Sequence, residues 1–198
     1  MAQSDSTPKW DRKIVATLVA CLISNTSYII IAPFLPLEFK SKGVDADVTG
    51  LIFAAYPVAS IATSLVLAKW KFQLGSAVKI SVGLFLMGLC FIAFGMTHYI
   101  SSPALISWLG IAIRLLQGAS SGCINTTAYG IASNEYSDQT ERLVGLLEMM
   151  AGLGTSVGPV LGAAIFAELD YAGCFYVFGV FNMVSAFVLL QVYPKEAP

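Results

Sequence analysis

Charge is scarce in this chain: only 12% of its 198 residues are Asp, Glu, Lys or Arg, while 57% are hydrophobic. A water-exposed domain carries about 25% charged residues. So little charge cannot solvate a surface, which excludes a soluble domain and puts most of the exterior against lipid. The net charge of −1 leaves no electrostatic footprint for nucleic acid. With a single histidine, His98, there is no material for a His-based metal site or triad. Cys21, Cys90, Cys123 and Cys174 share no short spacing and lie in or beside apolar segments, so they read as small packing residues rather than metal ligands or disulfides. No nucleotide loop and no carboxylate cluster is present. The chain is therefore not expected to be an enzyme, nor to hold a cofactor or metal. Asn25-Thr26-Ser27 and Asn125-Thr126-Thr127 match glycosylation triplets, but both fall inside expected membrane helices, out of reach of that chemistry.

Long apolar runs are what the chain has in abundance. Six can be marked, at about 14–37, 48–68, 78–98, 104–132, 143–167 and 172–193. Each is near or above the roughly 20 residues that span a bilayer. Short polar breaks separate them, and no soluble domain fits anywhere. Residues 1–13 are polar, and the apolar run that follows is longer than a signal-peptide core, so it reads as a first membrane helix. The expected fold is an all-α, multi-pass bundle of six transmembrane helices. The layout is a tail at 1–13, the bundle at 14–193, and the start of a linker or C-terminal tail at 194–198.

Lysine and arginine set the orientation. Lys9, Arg12 and Lys13 in the tail, Lys69, Lys71 and Lys79 at the second break, Arg142 at the fourth and Lys195 at the end share one side. The opposite side holds only Lys40 and Lys42. Both termini are therefore expected to be cytoplasmic. Trp10, Trp70 and Trp108 read as interface anchors.

Polar groups inside the spans are costly in lipid, so their positions are informative. Arg114, Gln117, Ser121 and Asn125 are offset by 3, 7 and 11 residues, one stripe of a helix. An arginine there is expected to face a wet cavity or an acidic partner, or else to tie helices together as a buried structural group. Glu148 is the one acid well inside a span, and Glu38 follows Pro33 and Pro36 at the end of the first. A carboxylate in such a place suits proton exchange or attraction of a cation; a fixed Glu148–Arg114 ion pair and an interfacial Glu38 are the plainer alternatives. Tyr28 and Tyr56 offer aromatic faces to a cation, or simply pack.

One segment combines these traits: Gly145, Gly154, Gly158-Pro159 and Gly162 follow the pattern G-x8-G-x3-G-P-x2-G. Glycines four apart share a helical face that another helix can approach closely, and a mid-helix proline favours a bend.

These residues resemble a family. Arg114-Leu115-Leu116-Gln117-Gly118 is similar to the R-x-x-Q-G motif in the fourth helix of major facilitator superfamily transporters. The glycine–proline run resembles that family's fifth-helix antiporter motif, departing only at Ala163. The chain looks like the N-terminal six-helix half. Ala32-Pro33-Phe34-Leu35-Pro36-Leu37-Glu38, Gly50-Leu51-Ile52-Phe53-Ala54 and Gly145-Leu146-Leu147-Glu148 resemble the vesicular amine and polyamine group. The resemblance implies exchange of lumenal protons for organic cations. It assigns Glu38 and Glu148 to proton or cation binding and Arg114 to proton coupling, with Gln117, Asn125, Tyr28 and Tyr56 as further candidates. Gly75, Gly118, Gly145, Gly154, Gly158, Pro159 and Gly162 are the packing and conformational candidates. The family's loop between helices two and three is degraded, with Phe72 where an aspartate belongs and Gly75 the clean match.

Such transporters need two bundles. The implied partners are lipid, a small solute with protons, and a second six-helix half from another copy, another chain or a longer parent. The alternative is a non-transporting subunit or truncated isoform that binds a partner through the glycine face of helix five. Vesicular, organellar and plasma membranes are not distinguished.

Overall fold

A computed structural model describes residues 11–69 and 74–193. Trp10, Trp70, Lys71, Phe72, Lys9, Lys195, most of the tail and the 194–198 segment lie outside the described residues. The described chain is all helix and turn. Six helices follow in order: α1 Arg12–Ile29, α2 Leu35–Ser41, α3 Ala46–Lys69, α4 Ser76–Met96, α5 Pro103–Asn134 and α6 Thr140–Val192. Single 3-10 turns precede α5 and α6, at Thr97–Tyr99 and Ser137–Gln139.

Four helical stretches are long and apolar enough to cross a membrane: Ala46–Lys69, Ser76–Tyr99, Pro103–Asn134 and Ser137–Val192. The last bends sharply at Asp170, whose φ of 58° and ψ of −174° lie outside helical space. That backbone region is otherwise almost confined to glycine, so the bend is strained. It divides α6 into two arms, 140–169 and 171–192, each longer than the roughly 20 residues a crossing needs. Helical dihedrals continue through Pro159; Asp170 is the interruption.

The expected span at 14–37 is not one helix. α1 stops at Ile29, a turn follows, and α2 begins at Leu35 with Pro36 in its first turn. A proline in a helix interior removes a donor and clashes with the preceding turn, but its fixed φ suits a helix start. Pro33 and Pro36 thus turn the chain into a short capping helix. α5 starts cleanly because Ser102 Oγ accepts from Leu105 N at 3.5 Å and Pro103 occupies the first turn.

Helices pair through glycine. Gly118 and Gly122 of α5 face the carbonyls of Tyr56 and Ser60 on α3, and a methyl at either would collide with them. Gly154 and Gly158 in the first arm of α6 press on α1 at Leu22, Thr26 and Ile29, and Gly162 presses on Ile30 just past its end. Gly88 of α4 and Gly179 in the second arm of α6 face each other's carbonyls. Small residues let backbones approach closely where lipid supplies no hydrophobic drive between helices.

The two ends differ from this middle. Where α1 begins, Lys13 pairs with Glu135 at 2.7 Å and Thr17 shares a 2.6 Å hydrogen bond with Tyr193. Here Tyr136 OH donates to Asp11 Oδ2 at 3.1 Å, and burial, then that carboxylate, push the phenol up to about 12. At the far end, rings fill the core: Phe34 stacks on Phe166 at 4.9 Å, and Phe94 on Phe175 at 5.1 Å.

Candidate functional site

The α5 stripe organises the interior. Arg114 sits at mid-helix with 0% exposure. Its Nη1 donates to Gln117 Oε1 at 3.2 Å, one turn along α5, and its Nη2 to the carbonyl of Tyr28 on α1 at 3.3 Å. The guanidinium carbon lies 5.5 Å from the Phe53 ring centroid and 5.3 Å from that of Tyr56, both on α3. Tyr28 stacks on Tyr56 at 4.6 Å. A delocalised cation is attracted to ring faces, which partly replaces the hydration it has lost.

No carboxylate partners Arg114 among the described residues. Arg114 Nε, Gln117 Nε2 and Tyr56 OH, all buried, have no hydrogen-bond partner there either. The first two only donate. Polar groups left so deep in a protein are costly and call for an acceptor.

Toward the end where the chain starts, the stripe continues as hydrogen bonds between α1 and α5. Ser24 Oγ donates to Ser121 Oγ at 3.2 Å, and Asn125 Nδ2 to the same oxygen at 3.2 Å. Asn125 Oδ1 accepts from Cys21 Sγ at 3.8 Å. One turn further, Tyr129 OH donates to Glu148 Oε1 on α6 at 2.6 Å. Glu148 is exposed on the face of the bundle, and its partner is this tyrosine rather than Arg114. The fixed Glu148–Arg114 ion pair is therefore not the arrangement found.

Glu38 stands apart from this site. It lies at the far end on α2, with Oε1 3.0 Å from His98 Nδ1 and 3.7 Å from Lys42 Nζ. Arg114, Gln117, Tyr28 and Tyr56 are thus brought together; Asn125 lies along the same stripe, and Glu148 beyond it.

The glycine candidates divide as well. Gly118, Gly154, Gly158 and Gly162 sit in tight seams, whereas Gly145 is exposed with nothing within 4 Å of where a Cβ would be. Gly75 caps α4, and Pro159 lies half-buried within α6. Because α1 occupies the seam of Gly154, Gly158 and Gly162, that glycine face is not free to receive an external partner. Trp108 is exposed near the start of α5.

Sequence reasoning passed over Phe53, Tyr129 and Gly122. Tyr129 and Gly122 carried a signal: Tyr129 is four residues past Asn125, and Gly122 four past Gly118. Phe53 was indistinguishable from a lipid-facing ring.

A family model described as Major Facilitator Superfamily matches residues 17–198. MFS-type transporter SLC18B1 of Mus musculus is 24% identical over 200 residues, covering 97% of this chain and 44% of the relative. The human protein of the same name is 26% identical over 194 residues, covering 96% and 42%. A multi-drug resistance efflux pump PmrA homolog of Lactococcus lactis is 26% identical over 193 residues, covering 94% and 45%. The chain spans less than half the length of these relatives.

Proposed function

Because the chain belongs to the major facilitator superfamily, we propose that it forms the N-terminal bundle of a proton-coupled antiporter for a small organic cation, an amine or polyamine. It is an integral, multi-pass membrane protein. In this reading 14–193 is the bundle, 1–13 and 194–198 are cytoplasmic, and the lysine–arginine asymmetry supports that orientation.

The observation that carries the reading is the Arg114 cluster. A fully buried guanidinium between Phe53 and Tyr56, with no carboxylate beside it among the described residues, is costly to hold, and that cost supports a functional rather than a packing role. Its unpartnered donors become available to water or solute when the bundle opens. Glu148 supplies a carboxylate on the exposed face, where it can take a proton or an ammonium group in turn, with Tyr129 orienting it. α1 and α5 line one wall of the path. A second six-helix bundle, from another copy, another chain or a longer parent, supplies the opposite wall and the body against which this one rocks.

Protein reconstituted in liposomes together with its second six-helix bundle is expected to take up labelled polyamine when the lumen is acid, and to lose that uptake in Glu148→Gln with expression and melting unchanged. Uptake indifferent to the pH gradient or to Glu148→Gln, or no flux under any gradient, would overturn the proposal.

A further inference from the structure

Two cationic side chains are buried among the described residues, Lys13 and Arg114. They are treated differently. Lys13 pairs with the carboxylate of Glu135 at 2.7 Å, whereas the acceptors of Arg114 are both neutral, the Gln117 amide and the Tyr28 carbonyl. The rings of Phe53 and Tyr56 beside the guanidinium are neutral too. An arginine stays charged inside a protein. The same cluster leaves three buried donors over: Arg114 Nε, Gln117 Nε2 and Tyr56 OH. The bond from Arg114 Nη1 to Gln117 Oε1 fixes the orientation of that amide, so its remaining end is the nitrogen, which only donates.

We propose that the Arg114 cluster is a binding site for a small monovalent anion of halide size, held at the guanidinium Nε with Gln117 Nε2 and Tyr56 OH as neutral donors. Charge and space choose this ligand. Water accepts hydrogen bonds but leaves the guanidinium unpaired, and buried charges in proteins are paired. A divalent oxyanion would replace one surplus charge by another of opposite sign. A bulky carboxylate is kept out on the α3 side. Gly118, one turn along α5 from Arg114, lies so close to α3 that a Cβ there would collide with the Tyr56 carbonyl, which is backbone. A monoatomic anion needs little room and accepts from donors in any direction.

Entry requires side-chain movement alone. Arg114, Gln117 and Tyr56 are buried, while Phe53 and Tyr28 are half-buried, so their rings reach from the cluster toward the surface of the bundle. Rotation of either ring opens a way in without parting the helices. The bound anion also bears on the solute. A bare guanidinium in the wall of the path repels an ammonium group, and a bound anion cancels that repulsion, so anion and organic cation favour each other's binding. That consequence rests on the antiport reading; the anion site does not.

The test uses the full chain in lipid nanodiscs with arginine labelled at Nε, and chloride as the probe. The chain has three arginines, Arg12, Arg114 and Arg142, of which the first and last are exposed. Chloride replaces gluconate at constant ionic strength, and the Nε–H signals are followed by NMR. A saturable shift is expected at one signal, the one missing from Arg114→Lys. Should Arg114→Lys fail to fold, Arg12→Lys and Arg142→Lys assign the signals by elimination. Tyr56→Phe keeps the ring and removes only the hydroxyl; it is expected to weaken chloride binding roughly tenfold, the worth of one hydrogen bond to a charged partner. An Arg114 signal indifferent to chloride, or equal drifts at all three signals, overturns the proposal. So does an affinity unchanged in Tyr56→Phe. Loss of the chloride response when the second six-helix bundle is added would assign the acceptor to a side chain of that bundle, and overturns it as well. No step involves transport, so failure of the antiport reading would leave the outcome standing.

Discussion

The middle of the bundle and its far corner are packed by opposite means. In the middle, Gly154, Gly158 and Gly162 bring α6 against the backbone of α1, and Gly118 and Gly122 bring α5 against α3. At the corner, Phe34, Phe166, Phe175, Phe94 and Tyr171 mesh ring on ring, and the Lys42–Glu38–His98 clasp closes over them. A smooth glycine seam permits sliding and rotation at small cost, whereas meshed rings have discrete arrangements. The buried Arg114 cluster lies beside the smooth seams. The molecule thus places its polar site where helices can shift, and its rigid packing where the chain turns between them.

That contrast can be broken at either region. The largest effect is expected from Gly162→Leu. Even a Cβ at this position runs into the carbonyl oxygen of Ile30, which is backbone and cannot swing aside. Overpacking costs about 1–3 kcal/mol where side chains can adjust; against backbone that cannot adjust, failure of the bundle to assemble is expected. Loss of the monodisperse species on size exclusion would register it. A variant that melts like the wild type would show that α1 yields, and that the seam is loose rather than tight. Phe175→Ala comes next. It removes the ring shared by Phe34, Phe91, Phe94 and Tyr171. About 3–5 kcal/mol is the usual cost of such a truncation. Thermal unfolding in detergent checks it, and hydrogen exchange should show the loss centred on the corner. Loss spread evenly through α1 and α5 would mean that the two regions are one cooperative unit.

The sequence disclosed the middle better than the corner, for a physical reason. Arg114, Gln117, Ser121 and Asn125 fall at helical spacing, and local geometry alone puts them in line. The glycine spacing likewise announced a smooth face, but smoothness does not name what lies against it; α1 does so only in three dimensions. Glu38 and His98 are 60 residues apart and meet because Pro33 and Pro36 turn α2 across the end of α4. Nothing local in either residue records that meeting. Asp170 is similar, since a non-glycine residue at φ 58° is held there by the packing of both arms rather than by its own preference.

The smallest expected effect sharpens the comparison most, because it varies position alone along one helix. At Gly152 a Cβ meets nothing within 4 Å, and the residue is exposed. Ala exceeds Gly in a helix interior by about 1 kcal/mol, so Gly152→Ala should raise stability by up to that amount. At Gly158, six residues on, the same methyl meets Ile29 Cγ2 and lies 3.1 Å from the carbonyl oxygen of Thr26. There the collision outweighs propensity, and Gly158→Ala should lower stability. Paired melts of the two variants read the sign directly. Opposite signs mean that contact with α1 governs this face of α6. Two gains would mean that helix propensity governs it and that α1 gives way. In that case the smooth seam would not be what holds the middle of the bundle together.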